Sequence, residues 1–394
     1  MNGVTGRMGY RQHLVRSILA IRERGGLPLP GGDVIWPEPV LVGRDDSKLR
    51  AIAERHHLPE WTTSLDKALA DPDTQVYFDA QATPVRADAL RAAIAAGKHV
   101  YAEKPLAGSL ADAVDLVRLA RAAGVRGGVV ADKLFLPGML KLKRLADGGF
   151  FGRILSVRGE FGYWVFDGRW QAAQRPSWNY RSESGGGIVL DMFPHWRYLL
   201  EELAGAVRSV YATAATHIPV RRDESGHDFR VTADDAAYAI FELDGGAVAQ
   251  VNSSWAVRVN RDELAEFQVD GTDGSAVAGL HRCRAQHIGT TPRPVWDPDN
   301  PTTQQFRSQW LEVPDNTEFD NCFLAQWALF LSSVVTGSPF RQDLLAGARG
   351  VQLGELGLAS WQQQRRLEVP VLEDTVLEDT VLEDTVLEDT ELEV

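Results

Sequence analysis

The chain has 394 residues, of which 44% are hydrophobic and 24% charged, as is ordinary for a globular enzyme with two domains. Its formal net charge is −13, but residues 371–394 hold ten carboxylates and no basic residue, so the rest carries only −3. This nearly balanced part lacks the basic face that nucleic acids require. No apolar stretch has the length of a membrane helix or a signal peptide. The two cysteines, Cys283 and Cys322, lie outside any metal or disulfide motif. We expect a cytoplasmic protein without nucleic-acid, membrane or metal partners.

Strands and helices alternate in the first 130 residues. Apolar residues recur there at helical spacing, and short apolar runs separate the helical segments. This alternation predicts βαβ units and a parallel sheet. In chain order we predict a helix at 10–24, a strand at 39–42, a helix at 46–56, a strand at 74–78, a helix at 86–96, a strand at 98–102 and a helix at 110–123.

The pattern changes after residue 150. Runs rich in β-branched and aromatic residues alternate with Gly, Asp and Asn, which predicts antiparallel strands joined by turns. The strands are expected at 153–165, 207–217, 236–243, 247–257 and 263–269, with helices at 320–335 and 344–365. We therefore predict an α/β domain over 1–132 and an α+β domain over 133–370.

The end of the chain, residues 371–394, repeats VLEDT with a period of five. That period matches neither a helix face, a strand face nor a coiled-coil heptad. We predict a disordered acidic extension without a catalytic role.

A glycine-rich loop, GVTGRMG, spans residues 3–9 and leads into the first helix. Glycines there let the backbone approach a pyrophosphate, which binds the N–H groups at a helix start. Cofactor contacts are expected at Gly3, Thr5, Gly6, Arg7 and Met8. A dinucleotide-binding domain of Rossmann type has a strand directly before this loop, but only Met1 and Asn2 precede it. We expect that the first strand is missing, through truncation or a start assigned too late.

The tip of the second strand bears on the choice of cofactor. It reads Val42-Gly43-Arg44-Asp45. An acidic residue at this tip binds the ribose hydroxyls of NAD, whereas an arginine suits the 2′-phosphate of NADP. Arg44 favours NADP, and Asp45 keeps NAD open. Thr83 and Pro84, which follow the next strand, are also expected beside the cofactor.

The most specific motif is AxxAGKHVxxEKP, at residues 93–105. It closely resembles the Gfo/Idh/MocA oxidoreductases, the glucose–fructose oxidoreductase and inositol dehydrogenase type, and the resemblance extends from the glycine loop to about residue 368. It implies a Rossmann-type domain followed by a domain with a large open, mainly antiparallel sheet. It also implies that Lys104 faces the nicotinamide and the substrate hydroxyl, while Glu103 and Pro105 shape the turn.

A second motif, GGGIVLDMFPHW at residues 185–196, is similar to the family's GGGxxxDxxxH. Its spacing puts Asp191 and His195 on one helical face, and histidine is suited to taking a hydroxyl proton. The resemblance implies that His195 is the acid/base and that Asp191 orients it or the substrate. Lys104 would stabilise the developing alkoxide. Pro194 departs from the usual small residue, and we expect it in the first helical turn, where proline is tolerated.

Aromatic and polar residues between these motifs suit a polyhydroxylated ring. Substrate contacts are expected from Lys133, Trp178, Asn179, Tyr180 and Arg181. Arg175 or Arg181 would also suit an acidic sugar. Equally, the tryptophans could fill the core and Arg181 could form a structural salt bridge, and the sequence does not decide between these readings.

Together the motifs predict an NAD(P)-dependent oxidoreductase that transfers a hydride between nicotinamide and a hydroxyl or keto group of a sugar, cyclitol or sugar acid. Two alternatives stay open: a sugar-processing enzyme that recycles its NAD through oxidation, elimination and reduction, and a non-catalytic cofactor-binding protein of the same fold. The glycine loop also resembles that of dihydrodipicolinate reductase, but the expected histidine–lysine pattern is absent. The family resemblance implies a homodimer or homotetramer formed through the open sheet face.

Overall fold

The structure is a computed structural model that describes residues 1–300 and 304–372. The predicted acidic extension lies outside the described residues from residue 373 on. Contacts divide the described residues into two units. The first comprises 1–130, 323–355 and 368–372, and the second comprises 131–322 and 356–367. This division assigns 323–355 to the first unit, whereas the boundaries predicted from the sequence, 1–132 and 133–370, put that segment in the second domain.

The first unit contains a parallel sheet flanked by helices, as the βαβ pattern predicts. The parallel strands are Leu41–Val42, Trp61–Thr62, Val76–Asp79, His99–Ala102 and Gly127–Val129, and a separate antiparallel pair is formed by Leu27–Pro28 and Val34–Ile35. Its helices are Gly9–Leu19, which is of π type, Ala20–Glu23, Asp46–His56, Leu65–Ala70, Thr83–Ala95 and Leu110–Ala122. Two further helices follow later in the chain. Cys322–Thr336 lies in this unit from Phe323 on, and Leu344–Gln363 lies in this unit up to Glu355.

Asn2 lies between the strands Leu41–Val42 and Val76–Asp79. It forms parallel bridges to Val42 on one side and Asp79 on the other. Its N–H donates to the Phe78 carbonyl at 2.8 Å, and its carbonyl accepts from the Ala80 N–H at 3.0 Å. One bridging residue therefore joins the two halves of the parallel sheet, directly before the glycine loop.

Side-chain caps fix where the helices of this unit begin. The Asp45 carboxylate accepts the Lys48 N–H at 3.1 Å, and the Ser109 hydroxyl accepts the Asp112 N–H at 3.1 Å. Each cap satisfies an N–H that has no partner within its helix and so stabilises the helix start. The predicted helix at 46–56 is confirmed with the same bounds.

The second unit is built on a nine-stranded, mainly antiparallel sheet. In spatial order its strands are Leu311–Glu312, Cys283–His287, Gly274–Ala278, Ala265–Gly271, Ile154–Gly162, Val248–Ser254, Ala236–Leu243, Val207–Ala215 and Leu367–Glu368. Ile154–Gly162 and Val248–Ser254 pair in parallel. A separate hairpin pairs Val220–Arg222 with Asp228–Arg230. The helices are Pro137–Asp147 and Ile188–Leu203, with 3₁₀ turns at Asp132–Phe135, Ser177–Tyr180, Ser182–Ser184, Asp244–Gly246, Ile288–Thr290 and Phe306–Gln309.

Alternation along the strands separates the two faces of this sheet. In Ala236–Leu243 every second side chain from Ala237 on is buried, and Phe241 contacts Phe193 of the helix Ile188–Leu203 at 5.5 Å between ring centroids. The predicted fold class, a Rossmann-type α/β domain plus an α+β domain with a large open sheet, is confirmed. Among the described helices, none is both long and apolar enough to cross a membrane.

Candidate active site

The glycine loop leaves little space for side chains next to its backbone. Gly3 has φ +81°, and a Cβ there would lie 2.6 Å from the Ala80 carbonyl carbon. A Cβ on Gly9 would lie 2.5 Å from the Gly3 carbonyl oxygen. Thr5, Gly6 and Arg7 are exposed on the outer side of the loop, and Met8 is half-buried. This tight, open turn before a helix fits the pyrophosphate of a dinucleotide.

The two candidate ribose ligands at the strand tip, Arg44 and Asp45, differ in their contacts. The Asp45 carboxylate accepts the Ser47 hydroxyl at 2.7 Å and the Lys48 N–H, and it pairs with the Lys48 ammonium at 3.2 Å. These hydrogen bonds, first that of Ser47, lower the pKa of Asp45 to about 2. Arg44 is exposed. Asp45 is thus engaged as a helix cap, while the arginine faces solvent.

The segment after the next strand is held by Arg86. Helix Thr83–Ala95 begins here with Pro84 in its first turn, so the predicted ligands Thr83 and Pro84 lie at a helix start. Buried Arg86 donates to the Asp79 carboxylate at 3.1 Å and to the carbonyl of Pro105. Arg86 therefore fixes the carbonyl that closes the EKP turn, residues Glu103–Pro105.

Within the EKP turn, Glu103 is buried and Lys104 is half-buried, and the Lys104–Pro105 peptide is cis. One oxygen of Glu103 lies 2.9 Å from Nε2 of His13, and the other accepts the Lys104 N–H at 3.1 Å. Burial raises the pKa of Glu103, but the His13 hydrogen bond and the charges of Lys104 and Arg86 outweigh it and hold the pKa below its ordinary value. An ionised Glu103 is therefore part of this turn.

His195 lies in the second unit, on the helix Ile188–Leu203, and is 2% exposed. The Lys133 ammonium is 3.2 Å from its Nε2, and an Asp132 oxygen is 3.8 Å from its Nδ1. Since an ammonium only donates hydrogen bonds, Nε2 of His195 accepts and carries a lone pair. That is the protonation state a general base needs.

Asp191, on the same helix, pairs with an arginine. An Asp191 oxygen accepts from Nη2 of Arg175 at 2.9 Å, and the guanidinium of Arg175 lies 4.2 Å above the Trp255 ring. The charges of Arg175 and Asp191 balance each other. Lys104 belongs to the first unit, whereas Asp191 and His195 belong to the second.

The start of the helix Ile188–Leu203 is fixed by Asp234. Its carboxylate accepts the Val189 N–H at 2.8 Å, and its backbone carbonyl accepts the Ile188 N–H at 3.1 Å. Burial raises the pKa of Asp234 to about 6. Gly187 has φ +117°, and a Cβ there would collide with the Asp234 carboxylate. The glycine run thus lets this carboxylate reach the helix that carries Asp191 and His195.

The expected place of Pro194 is wrong. The helix begins at Ile188, because the glycine run ends at Gly187, and Pro194 is therefore an interior residue. A proline there cannot donate to the Leu190 carbonyl, the acceptor four residues before it. The helix thus begins earlier than the predicted place of Pro194 requires.

The residues predicted to contact substrate divide into several environments. Lys133 lies against His195, and Trp178 is 45% exposed. The Asn179 amide donates to the Pro176 carbonyl at 3.0 Å. Tyr180 is buried, with its ring 5.5 Å from Trp255 and 4.1 Å from the Arg221 guanidinium, and the Arg181 guanidinium lies 4.3 Å above Phe229. Substrate contacts at these positions stay a prediction.

Several site residues were missed from the sequence: His13, Arg86, Asp132 and Asp234. Asp132 adjoins the predicted Lys133, and His13 lies four residues after the last loop glycine, so both had a positional signal. Arg86 and Asp234 had none, because the site residues they contact, Pro105 and Val189, lie 19 and 45 residues away in the chain. Among the described residues, no group of three or more His, Cys, Asp or Glu side chains could hold a metal ion.

Comparisons with known proteins agree with this arrangement. A family model described as "Oxidoreductase family, NAD-binding Rossmann fold" matches residues 39–130, and one described as "GFO/IDH/MocA C-terminal domain" matches residues 139–277. The chain is 59% identical over 374 residues to the D-xylose dehydrogenase of Paenarthrobacter nicotinovorans, across 94% of this chain and 96% of that protein. It is 28% identical to the levoglucosan dehydrogenase of Pseudarthrobacter phenanthrenivorans, across 63% of this chain and 67% of that protein.

Solved structures share the fold at lower identity. A levoglucosan dehydrogenase in complex with NADH and levoglucosan superimposes with a TM-score of 0.76 at 20% identity, covering 94% of this chain and 98% of that one. An oxidoreductase domain protein from Kribbella flavida has a TM-score of 0.76 at 21% identity, with coverages of 94% and 98%. These likenesses show that the fold extends over nearly the whole chain.

Proposed function

Because the chain belongs to the Gfo/Idh/MocA family of oxidoreductases, we propose that it is a dehydrogenase of a neutral sugar, with an aldopentose such as D-xylose as the preferred substrate. The observation that carries this proposal is the 59% identity to a D-xylose dehydrogenase across 94% of the chain. At that identity over both units, the site residues and their surroundings are expected to serve a similar substrate.

The glycine loop and the strand tip would hold the cofactor. Gly3 and Gly9 permit the tight turn of this loop, since a Cβ at either would collide with backbone atoms, and the following helix would present N–H groups to the pyrophosphate. Arg44 at the strand tip supports NADP, although Asp45 sits beside it and NAD stays the alternative. The bound nicotinamide supplies the hydride acceptor.

His195 would act on the substrate hydroxyl. As the hydride leaves the hydroxyl-bearing carbon, the O–H proton passes to Nε2 of His195, and a C=O double bond forms on the sugar. Asp132, at 3.8 Å from Nδ1, stabilises the imidazolium that results. Before substrate binds, the Lys133 ammonium donates to this lone pair, and the substrate hydroxyl would replace it there. Lys104 would stabilise the charge on the substrate oxygen.

The charge balance at Asp191 supports a neutral substrate. Arg175 donates a hydrogen bond to Asp191, so its positive charge is already paired with the charge of this carboxylate. Arg181, the other candidate for binding an acidic sugar, covers Phe229 and lies 3.9 Å from Glu183. Neither arginine offers an uncompensated charge to a carboxylate, so a polyol that donates to Asp191 fits better than a sugar acid.

A substrate panel tests this proposal. The purified protein is mixed with NAD or NADP and with neutral aldoses, inositol or sugar acids, and the absorbance of the reduced nicotinamide is followed. We expect sustained reduction with D-xylose or another neutral aldopentose, and much lower kcat/KM for sugar acids. Preference for a sugar acid would overturn the substrate assignment. Cofactor binding without net reduction on any sugar would favour the internally recycling enzyme or the non-catalytic protein.

The open sheet face supports a homodimer or a larger homo-oligomer. Tyr211, Tyr238, Ile240 and Val248 lie on this face by their ladder pairing and are 39–47% exposed. Apolar side chains grouped on one face of an antiparallel sheet typically mark a protein contact. A second copy of the chain is the proposed occupant of this face.

A further inference from the structure

His13 is fully buried in the helix that follows the glycine loop, and both of its ring nitrogens have polar partners. Nε2 lies 2.9 Å from a Glu103 oxygen, and Nδ1 accepts from the indole N–H of Trp327 at 3.0 Å. An indole nitrogen only donates hydrogen bonds, so Nδ1 of His13 carries the lone pair. The ring proton therefore resides on Nε2 and is donated to Glu103.

Glu103 passes this constraint on to the next residue. The oxygen that does not contact His13 accepts the backbone N–H of Lys104 at 3.1 Å. A carboxylate held at both oxygens cannot rotate without losing one of these bonds. The orientation of the Lys104 backbone is thus coupled to the protonated nitrogen of His13.

Packing alone does not explain a histidine at this position. Its ring lies 4.4 Å from that of Phe78 and 5.1 Å from that of Phe323, in surroundings that an apolar side chain could fill. An apolar side chain would, however, remove one hydrogen-bond partner from the buried Glu103 carboxylate and one from the Trp327 indole. Buried polar groups that lose a partner are costly, a charged one most of all.

We propose that His13 is a positioning residue for Lys104, acting as a neutral imidazole that is locked in its Nε2–H tautomer by Trp327 and that fixes the Glu103 carboxylate. This inference rests on the proposed role of Lys104 in hydride transfer. Displacing a transition-state group by about 1 Å costs on the order of 100-fold in rate. Loss of the His13 hydrogen bond is therefore expected to lower kcat while KM for the sugar changes little.

The first test compares His13→Leu with His13→Gln. Leucine removes the donor, and we expect kcat to fall about 10- to 100-fold. Glutamine places an N–H three bonds from Cβ, as Nε2 of histidine is, and should keep most of the wild-type kcat. His56→Leu is the matched control, because it removes a 2.9 Å hydrogen bond to Tyr10 in the same unit without touching Glu103. Equal kcat in His13→Leu and wild type would overturn the proposal.

A double variant separates a positioning role from a merely structural one. In the Lys104→Met background, His13→Leu should cost little further activity, because the group it positions is gone. The same factor in both backgrounds would show that His13 acts independently of Lys104 and would overturn the inference. Full activity of Lys104→Met alone would instead refute the proposed role of Lys104, so the two failures are distinguishable.

A tautomer measurement on the wild type requires no variant to be active. In protein labelled with ¹⁵N-histidine, the resonances that vanish in His13→Gln belong to His13. We expect a neutral ring protonated at Nε2 only. A ring protonated at Nδ1, alone or together with Nε2, would contradict the lock by Trp327.

Discussion

The Lys133 ammonium lies 3.2 Å from Nε2 of His195, and Asp132, the residue before it, lies 3.8 Å from Nδ1 on the other side of the ring. Two adjacent residues of opposite charge therefore act on the two nitrogens of one buried imidazole. The lysine opposes a proton on the ring and the aspartate favours it. Both charges therefore act on the ring that would take the substrate proton, and their effects on it are opposite.

Neutralising either residue should shift the pH range in which His195 serves as a base, the two in opposite directions. For Lys133→Gln, the acid limb of the kcat/KM profile should move to higher pH by about 1 unit, since the repelling charge is gone. For Asp132→Asn it should move to lower pH. Lys143→Gln, which removes a surface lysine paired with Asp147 at 2.7 Å, is the control and should leave the profile unchanged. Shifts of the same sign in both variants would contradict this account.

The cap at Asp234 predicts a pH-dependent stability. Burial raises the pKa of Asp234 to about 6 from an ordinary value of 3.8. The folded state thus binds this proton more tightly than the unfolded state, so this contribution to the free energy of unfolding is present at low pH and is lost as pH rises through 6. Asp234→Asn can still accept the Val189 N–H without a charge. Between pH 4 and pH 8, the free energy of unfolding of Asp234→Asn should therefore rise by roughly 2–3 kcal/mol relative to that of wild type.

Thermal unfolding of both proteins across this pH range measures the difference. Asp234→Ala is the control, because it removes the cap together with the charge and should be less stable than Asp234→Asn at every pH. A difference between Asp234→Asn and wild type that does not vary with pH would show that Asp234 is not protonated in the proposed range.

The cofactor preference is expected to depend on Arg44. Arg44→Ala removes the cation that would bind the 2′-phosphate, so the ratio of kcat/KM with NADP to that with NAD should fall about 10- to 100-fold. Arg50→Ala, on the following helix and paired with Asp46 at 2.8 Å, should leave the ratio unchanged. An unaltered ratio in Arg44→Ala would shift the assignment to NAD.

The open sheet face is expected to control assembly. Ile240→Glu places a charge among Tyr211, Tyr238 and Val248 and should reduce the assembly toward the 43.4 kDa of one chain. Leu119→Glu, on an exposed position of the first unit, should leave the mass unchanged. Light scattering after size-exclusion chromatography measures both. A wild type that is already monomeric would contradict the proposed contact.

The fold could be predicted where the local pattern is strong. The helix Asp46–His56 and the strand Ala236–Leu243 were predicted with the bounds found, because a cap and a strict alternation mark them. The helix Pro137–Asp147 and the strand Gly127–Val129 were not identified. The sequence also could not show that 323–355 packs with the first unit, since that pairing depends on contacts far apart in the chain.

The site was predictable only to the level of its motifs. Lys104, Asp191 and His195 came from runs that resemble a family. The contacts that position this site were not predicted. Arg175 contacts Asp191 across 16 residues of chain, and Trp327 contacts His13 across 314. Such pairs leave no periodic signal, because the fold rather than the local chain brings them together.

The central claim is that a hydride passes directly from a sugar carbon to the nicotinamide. The most direct measurement uses a neutral aldopentose deuterated on its carbons, with mass spectrometry of the cofactor after turnover by wild type, His195→Ala and Lys104→Met. We predict one deuterium in the reduced cofactor formed by wild type, and a rate lowered by about 100- to 10,000-fold in His195→Ala. Reduced cofactor without deuterium, or undiminished turnover in both variants, would contradict the account.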